Sequence, residues 1–312
     1  MKRFYIFPFL LLFLLVGCKN KSKDAPEDTM TSGVIKIAVD ESFRSIIQEE
    51  IDVFESLTPM AGIVPVYCSE VDAVNYLLKD SVRLAITTRP LSSEEIYSFE
   101  SRKFYPRNIK IATDAIALIV NNQNPDSLIS VSQLEKILTG EVTDWKQLYP
   151  ASNLGRLQLV FDNPNSSTVR YAIDSLCKGK SLYPELKAQK TNSEVISYIA
   201  KTPNAIGVIG VNWLGNKTDS TNLSFTDKIK VMAVSSEKVA TPENSYKPFQ
   251  AYIALEDYPL TRSVYVLLND PRGALPSGFT AFLTGDRGQR IILKSGLVPA
   301  TQPVRLVDVK DE

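Results

Sequence analysis

Strand-like and helix-like segments alternate regularly along this chain, and this alternation constrains its fold more than any other feature of the sequence. Short β-rich runs such as Val34–Val39 and Arg83–Thr87 alternate with segments such as Phe43–Leu57, where apolar residues recur at helical spacing. Strands that alternate with helices pair in parallel and are covered by helices. The pattern therefore predicts an α/β protein.

The other predicted elements continue this order along the chain. Strands are predicted at Ile63–Cys68, Ile109–Val120, Leu157–Phe161, Ala205–Val211, Lys228–Val234, Tyr252–Leu255 and Val264–Leu268. Helices are predicted at Val71–Lys79, Ser92–Phe99, Val131–Leu138, Ser166–Cys177, Ser193–Ala200 and Pro276–Lys294. Ser92 and Glu95 form a Ser-x-x-Glu capping box, which marks a helix start.

One apolar run, Ile109–Val120, is longer than an ordinary strand of about five or six residues. We expect it to cross from a first lobe into a second, and we expect Lys228–Val234 to bring the chain back. The first lobe would comprise residues 34–115 and 232–305, and the second lobe residues 116–231. Open sheets bind ligands at the carboxyl ends of their strands. A cleft between two such lobes collects helix N-termini, which favour an anion.

Residues 1–17 have the composition of a secretory signal peptide. Lys2 and Arg3 precede an uncharged apolar run, Phe4–Val16. This run is shorter than the ~20 residues that a membrane-spanning helix needs, so it is typical of a cleaved signal. The alternative is an uncleaved N-terminal membrane anchor.

The segment that follows indicates a lipoprotein. Leu15–Cys18 resembles the lipobox of bacterial lipoproteins, which implies a lipid on Cys18. Residues 18–33 are polar and predict a flexible tether. We therefore expect a chain that is lipid-anchored on the extracytoplasmic side. It would face the periplasm or lie at the outer membrane. The outer membrane is indicated because the residue after Cys18 is Lys19 and not the aspartate that retains lipoproteins in the inner membrane.

Composition excludes several classes of enzyme and partner. The chain has no histidine, which excludes Ser-His-Asp and Cys-His nucleophilic sites and His-based zinc sites. Without Lys2 and Arg3, 33 basic residues (35 − 2) face 35 acidic ones, a net charge of −2, and no nucleic-acid partner is indicated. Besides Cys18, the chain has Cys68 and Cys177. We assign these two to different lobes and favour free thiols over a disulfide.

The order of several segments resembles the phosphate-binding proteins of ABC transporters over about residues 33–300. The most specific of these segments is DAIALIVNNQNPDSLISVSQLEKILTGEVTDWKQL, residues 114–148. Shorter counterparts are ITTRPLSSEE (86–95), NSSTVR (165–170), AIGVIG (205–210), YPLTR (258–262) and GDRGQRIILKSGLVP (285–299). The resemblance implies a two-lobed periplasmic-binding-protein fold of type II. Each lobe would be a mixed sheet flanked by helices, and two crossover strands would join the lobes.

The resemblance also implies where a ligand binds. The implied contact residues are Ser42 and Phe43 in a first loop, Thr87 and Thr88 after a strand, and Asn165, Ser166, Ser167 and Thr168 at a helix start. Independently of the family, a run of small hydroxyl and amide side chains that opens a helix either caps that helix or offers donors to a ligand.

Acidic residues depart from the family pattern. The family carries an arginine a few residues before the anion loop, where this chain has Asp162. The acids expected to line or rim the cleft are Asp40, Glu41, Glu70 and Asp162. Carboxylates repel a dianion. We expect Arg89 and Arg170 to compensate, since a guanidinium binds phosphate in bidentate fashion; the alternative for either is a surface salt bridge.

These observations favour a binding protein over an enzyme. The first hypothesis is a monomer without a cofactor that captures an inorganic oxyanion, phosphate, and delivers it to an ABC permease, with the lipid as its only contact with the membrane. The second is a binding-protein fold repurposed as a cell-surface sensor or interaction module. The third is a hydrolase that uses paired carboxylates such as Asp40 and Asp162. Asp114, at the start of the crossover strand, is expected to brace the hinge or cap a helix.

Overall fold

The computed structural model describes residues 28–215 and 224–304. The predicted signal peptide, Cys18 and most of the predicted tether lie outside these residues. The strands are β1 Ser32–Asp40, β2 Met60–Cys68, β3 Leu84–Thr87, β4 Arg107–Val120, β5 Leu128–Ser130, β6 Gln158–Phe161, β7 Lys187–Ala188, β8 Ala205–Gly210, β9 Lys230–Val231, β10 Ala233–Ser235, β11 Thr261–Leu268 and β12 Val298–Pro299. The helices are α1 Arg44–Leu57, α2 Glu70–Leu78, α3 Ser93–Glu100, α4 Val131–Leu138, α5 Ser167–Tyr171, α6 Asn192–Ile199, α7 Gln250–Ala254, α8 Leu275–Thr284 and α9 Asp286–Lys294.

Two lobes of mixed sheet share one continuous strand, and the order along the sheet is β2-β1-β3-β11-β4-β8-β6-β7. In the first lobe β1 pairs in parallel with β2 and β3, and β11 runs antiparallel between β3 and β4. In the second lobe β8 runs antiparallel to β4 and parallel to β6. The predicted two-lobed α/β fold is confirmed. Within the described ranges, no helix has both the length and the apolar character needed to cross a bilayer.

Strand β4 carries the chain across the hinge, as predicted. Its first part, up to Ala115, pairs with β11, and its second part, Ile116–Val120, pairs with β8. The chain crosses back through the segment before β11. There the Tyr258 hydroxyl donates to Ile116 O at 2.7 Å, and Ile116 N donates to Leu260 O at 2.8 Å.

The return of the chain comes later than the predicted Lys228–Val234. In the structure β9 pairs with the end of β4, and β10 pairs with β5, so both belong with the second lobe. Val231 and Val234 are 3% and 0% exposed there, so burial of these two side chains holds the short strands in the second lobe. Strand β11 is the element that rejoins the first sheet.

Two further predictions about the C-terminal region are wrong. The predicted strand Tyr252–Leu255 lies at helix α7, where Tyr252 packs on Tyr246 with ring centroids 4.9 Å apart while Ile253 is buried. The predicted helix Pro276–Lys294 is two helices. Gly285 separates them because it takes extended backbone, with φ −82° and ψ 170°, and it caps both α8 and α9.

Cysteine pairing agrees with the prediction. Cys68 ends β2 in the first lobe, and Cys177 follows a π-helical turn after α5 in the second lobe. Both are free thiols.

Candidate functional site

The two lobes meet where strands end and helices begin. On the first lobe lie the 3-10 turn Glu41–Phe43 after β1, the start of α2 and the end of β3. On the second lobe lie the starts of α5 and α6 and the 3-10 turn Val211–Trp213 after β8. Hydrogen bonds join the lobes directly: Arg170 Nε to Glu70 Oε2 at 2.5 Å, Arg170 Nη2 to Thr88 Oγ1 at 2.7 Å, Asn192 Nδ2 to Glu41 Oε2 at 3.0 Å, and Asn212 Nδ2 and Trp213 Nε1 to Ser42 O, both at 2.8 Å.

The loop after β1 brings the predicted residues Ser42 and Phe43 into this cleft. Asp40 Oδ1 accepts from Ser42 N at 2.9 Å, which caps the 3-10 turn and fixes the loop. Both predicted residues are buried, at 0% and 1% exposure. The Phe43 ring faces the Arg262 guanidinium, whose central carbon lies 5.6 Å from the ring centroid. The loop therefore joins the first lobe to a cation at the hinge.

Arg262 is a site residue that sequence reasoning missed. It lies in β11 and is 6% exposed. Its Nε donates to Asp114 Oδ2 at 2.8 Å, and its Nη1 donates to Ser167 Oγ at 2.9 Å. Burial opposes the charge, but the carboxylates of Asp114 and Asp40 raise the pKa of Arg262 above its ordinary value. Asp114 thus braces the hinge, as predicted. The available signal was its place at the end of the YPLTR segment, which is one of the segments that resemble the family.

Five buried polar atoms around this cation have no hydrogen-bond partner within the described residues. They are Arg262 Nη2, Ser42 Oγ, Asp40 Oδ2, Asp114 Oδ1 and Asn212 Oδ1. Gly210 borders this group, because a Cβ at that position would lie 2.8 Å from Asn212 Oδ1 and 3.6 Å from Arg262 Nη2. Buried polar groups are otherwise paired almost everywhere in folded proteins. Unpaired donors and unpaired acceptors therefore mark this part of the cleft as a place for a polar ligand.

Asp40 titrates near neutral pH. Burial and the nearby Glu70 carboxylate raise the pKa of Asp40 to about 7, although Arg262, Ser167 and the Ser42 amide oppose the shift. A carboxyl group of this kind exchanges a proton in the pH range where many oxyanions also do. It can accept a hydrogen bond from a ligand hydroxyl or, when protonated, donate one to a ligand oxygen.

The hydroxyl groups of the predicted anion loop are largely used within the chain. Thr168 Oγ1 donates to Asp162 Oδ1 at 2.5 Å. A hydroxyl carries one hydrogen, so the 2.8 Å contact between Ser166 Oγ and Thr168 Oγ1 must be donated by Ser166. The Ser167 hydroxyl accepts from Arg262 and has its hydrogen left for Asp40, whose pKa it lowers. Ser167 is thus the one hydroxyl of these three that can still donate to a ligand or to Asp40.

Asp162, at the position where the resemblance to phosphate-binding proteins implies an arginine, orders the second lobe's side of the cleft. Besides Thr168, it accepts from Asn192 Nδ2 at 3.1 Å, and Asn192 Oδ1 accepts from Gly210 N at 3.2 Å. Asn192 also reaches Glu41 across the cleft. Asp162 is 2% exposed, and both of its oxygens have partners. It therefore orients neighbouring donors toward itself.

The predicted contact residue Thr88, directly after β3, also binds an acidic side chain, that of Glu70. Glu70 Oε1 accepts from Thr88 N at 2.6 Å and from Thr88 Oγ1 at 2.7 Å, and Glu70 Oε2 accepts from Arg170 Nε. Burial raises the pKa of Glu70, but the Arg170 guanidinium and the Thr88 donors lower it more. The pKa of Glu70 therefore lies below its ordinary value. Glu70 is therefore ionised and fully used at neutral pH.

Three predicted residues are engaged by partners in their own lobe. Arg89 donates from Nη1 and Nη2 to the two carboxylate oxygens of Glu95, both at 2.7 Å, which is the salt-bridge alternative. Thr87 Oγ1 donates to Arg89 O at 2.8 Å. Asn165 is exposed, and its backbone N–H donates to Asn163 Oδ1. Arg89, Thr87 and Asn165 thus have local structural partners.

Comparison with known proteins places this geometry in a family. The model of the PBP superfamily domain matches residues 24–287. The phosphate-binding protein PstS of Borreliella burgdorferi is 24% identical over 96% of this chain and 99% of its own length. PstS of Pseudomonas aeruginosa is 24% identical over 75% of this chain and 73% of its own length. A substrate-binding protein from Clostridium perfringens, assigned to phosphate ABC transport and holding bound phosphate, superimposes with a TM-score of 0.72 at 18% identity, over 86% of this chain and 100% of its own. The family match spans well over half of the sequence, and the chain therefore belongs to the PBP superfamily.

Proposed function

We propose that this chain captures phosphate between its two lobes and delivers it to an ABC permease. The observation that carries the proposal is a buried guanidinium with a free donor, Arg262 Nη2, beside the free Ser42 hydroxyl and the titratable Asp40. Guanidinium groups bind oxyanions through short, charge-assisted hydrogen bonds. The names of the PstS relatives from Borreliella burgdorferi and Pseudomonas aeruginosa support the same ligand.

The mixed charge of the site favours an oxyanion that carries a proton. Arg262 Nη2 and the Ser42 hydroxyl would donate to ligand oxygens, and Asp40 Oδ2 would accept from a ligand hydroxyl. Phosphate keeps at least one proton near pH 7, so it satisfies both kinds of group. Sulfate is fully ionised at this pH and would leave the Asp40 oxygen facing an anionic oxygen. We therefore expect phosphate to bind more tightly than sulfate.

Hinge closure would bury the ligand, because donors from both lobes face the same cleft. Arg262 lies at the hinge, Ser42 on the first lobe and Ser167 on the second. A ligand held among them would add interactions that exist only when the lobes are closed. Delivery then requires opening, which we assign to contact with the permease.

The test is calorimetry and thermal denaturation of the lipid-free mature chain, residues 19–312, with phosphate and with sulfate. Ligand at a hundredfold excess over Kd stabilises the native state by ~2.7 kcal/mol. We expect this stabilisation with phosphate and its loss in Arg262→Lys, which keeps the charge but not the fork of donors. Arg102→Lys, on the surface of the first lobe, is the matched control. If no oxyanion stabilises the chain, the proposal is wrong and the repurposed sensor or interaction module becomes the better hypothesis.

We also propose that the chain is a lipid-anchored, extracytoplasmic monomer and not an enzyme. Leu15–Cys18 supports the anchor. Labelling of cells with a radioactive fatty acid should mark the protein, and Cys18→Ser should abolish the label. Against the hydrolase hypothesis, Asp162 already accepts from Thr168 and Asn192 through its two oxygens. Hydrolysis of glycosides or phosphate esters by the purified chain would contradict the non-enzymatic assignment.

A further inference from the structure

Glu70 occupies an unusual place for a buried carboxylate. It is the first residue of α2, is 1% exposed, and points into the cleft between the lobes. It accepts from the amide and the hydroxyl of Thr88 on its own lobe, at 2.6 and 2.7 Å. It also accepts from Arg170 Nε of the other lobe at 2.5 Å. One carboxylate therefore collects a backbone amide, a hydroxyl and a guanidinium.

These three kinds of donor are the ones that proteins use to bind an oxyanion. In this chain the Glu70 carboxylate already accepts hydrogen bonds from all three. Arg170 completes the arrangement by donating Nη2 to Thr88 Oγ1 at 2.7 Å, so Thr88 has its hydrogen, its amide and an acceptor lone pair all engaged. The Thr88 region resembles a ligand-contact region that the protein fills with its own side chain.

Both guanidinium groups of the cleft are already neutralised by a carboxylate of this chain. Arg170 is paired with Glu70, and Arg262 is paired with Asp114. A bound dianion would meet the field of the unneutralised Asp162 and, above its pKa, of Asp40. Removal of the Glu70 charge would release Arg170 to compensate that dianion.

We propose that Glu70 is a specificity-determining residue, an internal counter-anion that uses the Thr88 and Arg170 donors and so restricts the site to oxyanions of low charge. This inference rests on the proposed function.

The test compares the lipid-free mature wild-type chain with Glu70→Gln by calorimetry, using phosphate and sulfate. The glutamine oxygen can still accept from Thr88, while the charge facing Arg170 is removed. We expect phosphate to bind about tenfold more tightly or better, since one buried like charge near the ligand is lost, and we expect sulfate binding to become measurable. An ordinary contact residue would give the opposite sign.

Asp174→Asn is the matched control. Asp174 is the other carboxylate partner of Arg170, at 3.2 Å, but its side chain is 57% exposed. Its removal should change phosphate affinity by less than about twofold. Glu70→Asp provides a second variant in case Glu70→Gln folds poorly. It keeps a charge at the helix start but shortens the side chain, so we expect a smaller gain in affinity than with glutamine.

The outcomes separate this inference from the proposed function. If the wild type binds phosphate and both Glu70 variants bind it equally or more weakly, the inference is overturned and Glu70 serves only to hold the lobes together. If the wild type binds no oxyanion but Glu70→Gln does, the proposed function fails and Glu70 blocks the site instead of setting its specificity. If no chain binds phosphate or sulfate, both are rejected.

Discussion

Arg170 of the second lobe and Glu70 of the first lobe form an ion pair across the cleft, with Nε 2.5 Å from Oε2. The Glu70 side chain is 2% exposed and the Arg170 side chain 26% exposed, so the pair is shielded from water on one side. Such a pair has a desolvation cost, which its extra hydrogen bonds to Thr88 offset. It favours a closed arrangement of the lobes before any ligand is bound.

Arg170→Gln should therefore open the ligand-free protein. The substitution leaves Glu70 buried without its cation in the closed form, whereas opening lets water solvate that carboxylate. We expect a larger radius of gyration by small-angle X-ray scattering than in the wild type. Asp174→Asn removes only an exposed partner of Arg170 and should leave the scattering unchanged. Identical scattering from wild type and Arg170→Gln would mean that other contacts hold the lobes closed.

The hydrogen-bond directions in the anion loop, residues 165–168, predict unequal effects of substituting two neighbouring serines. Ser167→Ala should weaken phosphate binding by about tenfold, because its hydroxyl accepts from Arg262 and its hydrogen has no partner within the anion loop, so it can be given to the ligand. Ser166→Ala should change affinity little, because its hydrogen is donated to Thr168. It should instead lower the unfolding free energy by about 0.5–2 kcal/mol, since Ser166 caps α5. Calorimetry with phosphate and urea denaturation of both variants measure these effects. A larger loss of affinity in Ser166→Ala would show that the assigned direction of the hydroxyl chain is reversed.

The fold was predictable because its signals are local. Helix α4 has the predicted bounds, Val131–Leu138, and the capping box of Ser92 and Glu95 forms as predicted. The long apolar run crosses between the lobes because both of its halves face buried surfaces. The wrong strand at Tyr252–Leu255 has a tertiary cause, since aromatic packing decides that segment.

The site was less predictable because its chemistry depends on contacts between distant segments. The sequence places hydroxyl residues at the correct strand and helix ends, and the structure brings Ser42, Thr88 and Ser167 to the cleft. Whether each hydroxyl is free depends on acids elsewhere in the sequence, such as Glu70 for Thr88. Arg262 is 95 residues from Ser167, and only the folded hinge brings them together.

Glu50 predicts a pH dependence that is separate from ligand binding. It lies in α1, is 0% exposed, and neither of its oxygens has a partner in the described chain. Burial, with a contribution from Glu49, raises the pKa of Glu50 from 4.5 to about 9. Because the folded value is the higher one, the stability that this group contributes is complete below pH 4.5 and is lost as the pH rises through about 9.

Glu50→Gln should remove this loss. A neutral isostere has no ionisation to suppress, so at pH 8 the variant should have an unfolding free energy higher than that of the wild type by about 2–4 kcal/mol. Near pH 4 the two should be similar. Urea denaturation at both pH values measures the difference, and Glu100→Gln, at an exposed position of α3, is the control. A constant difference between wild type and Glu50→Gln at the two pH values would argue against a buried, protonated Glu50.

Trp213 offers a direct optical measure of closure. Its indole Nε1 donates to Ser42 O across the cleft at 2.8 Å, so opening must break this bond and expose the ring to water. The other tryptophan, Trp145, is 0% exposed within the second lobe, where its Nε1 donates to Asn204 O at 2.9 Å. Because the Glu70–Arg170 pair already favours closure of the ligand-free wild type, we expect phosphate to shift the fluorescence to shorter wavelength most strongly in Arg170→Gln, and we expect Trp145→Phe in that background to keep the shift. Trp213→Phe should lose it while calorimetry still detects binding, because the indole N–H is donated to Ser42 O and not needed for the ligand. A full shift in Trp213→Phe would place the fluorescence change at Trp145 and contradict a closure read out at the Ser42 contact.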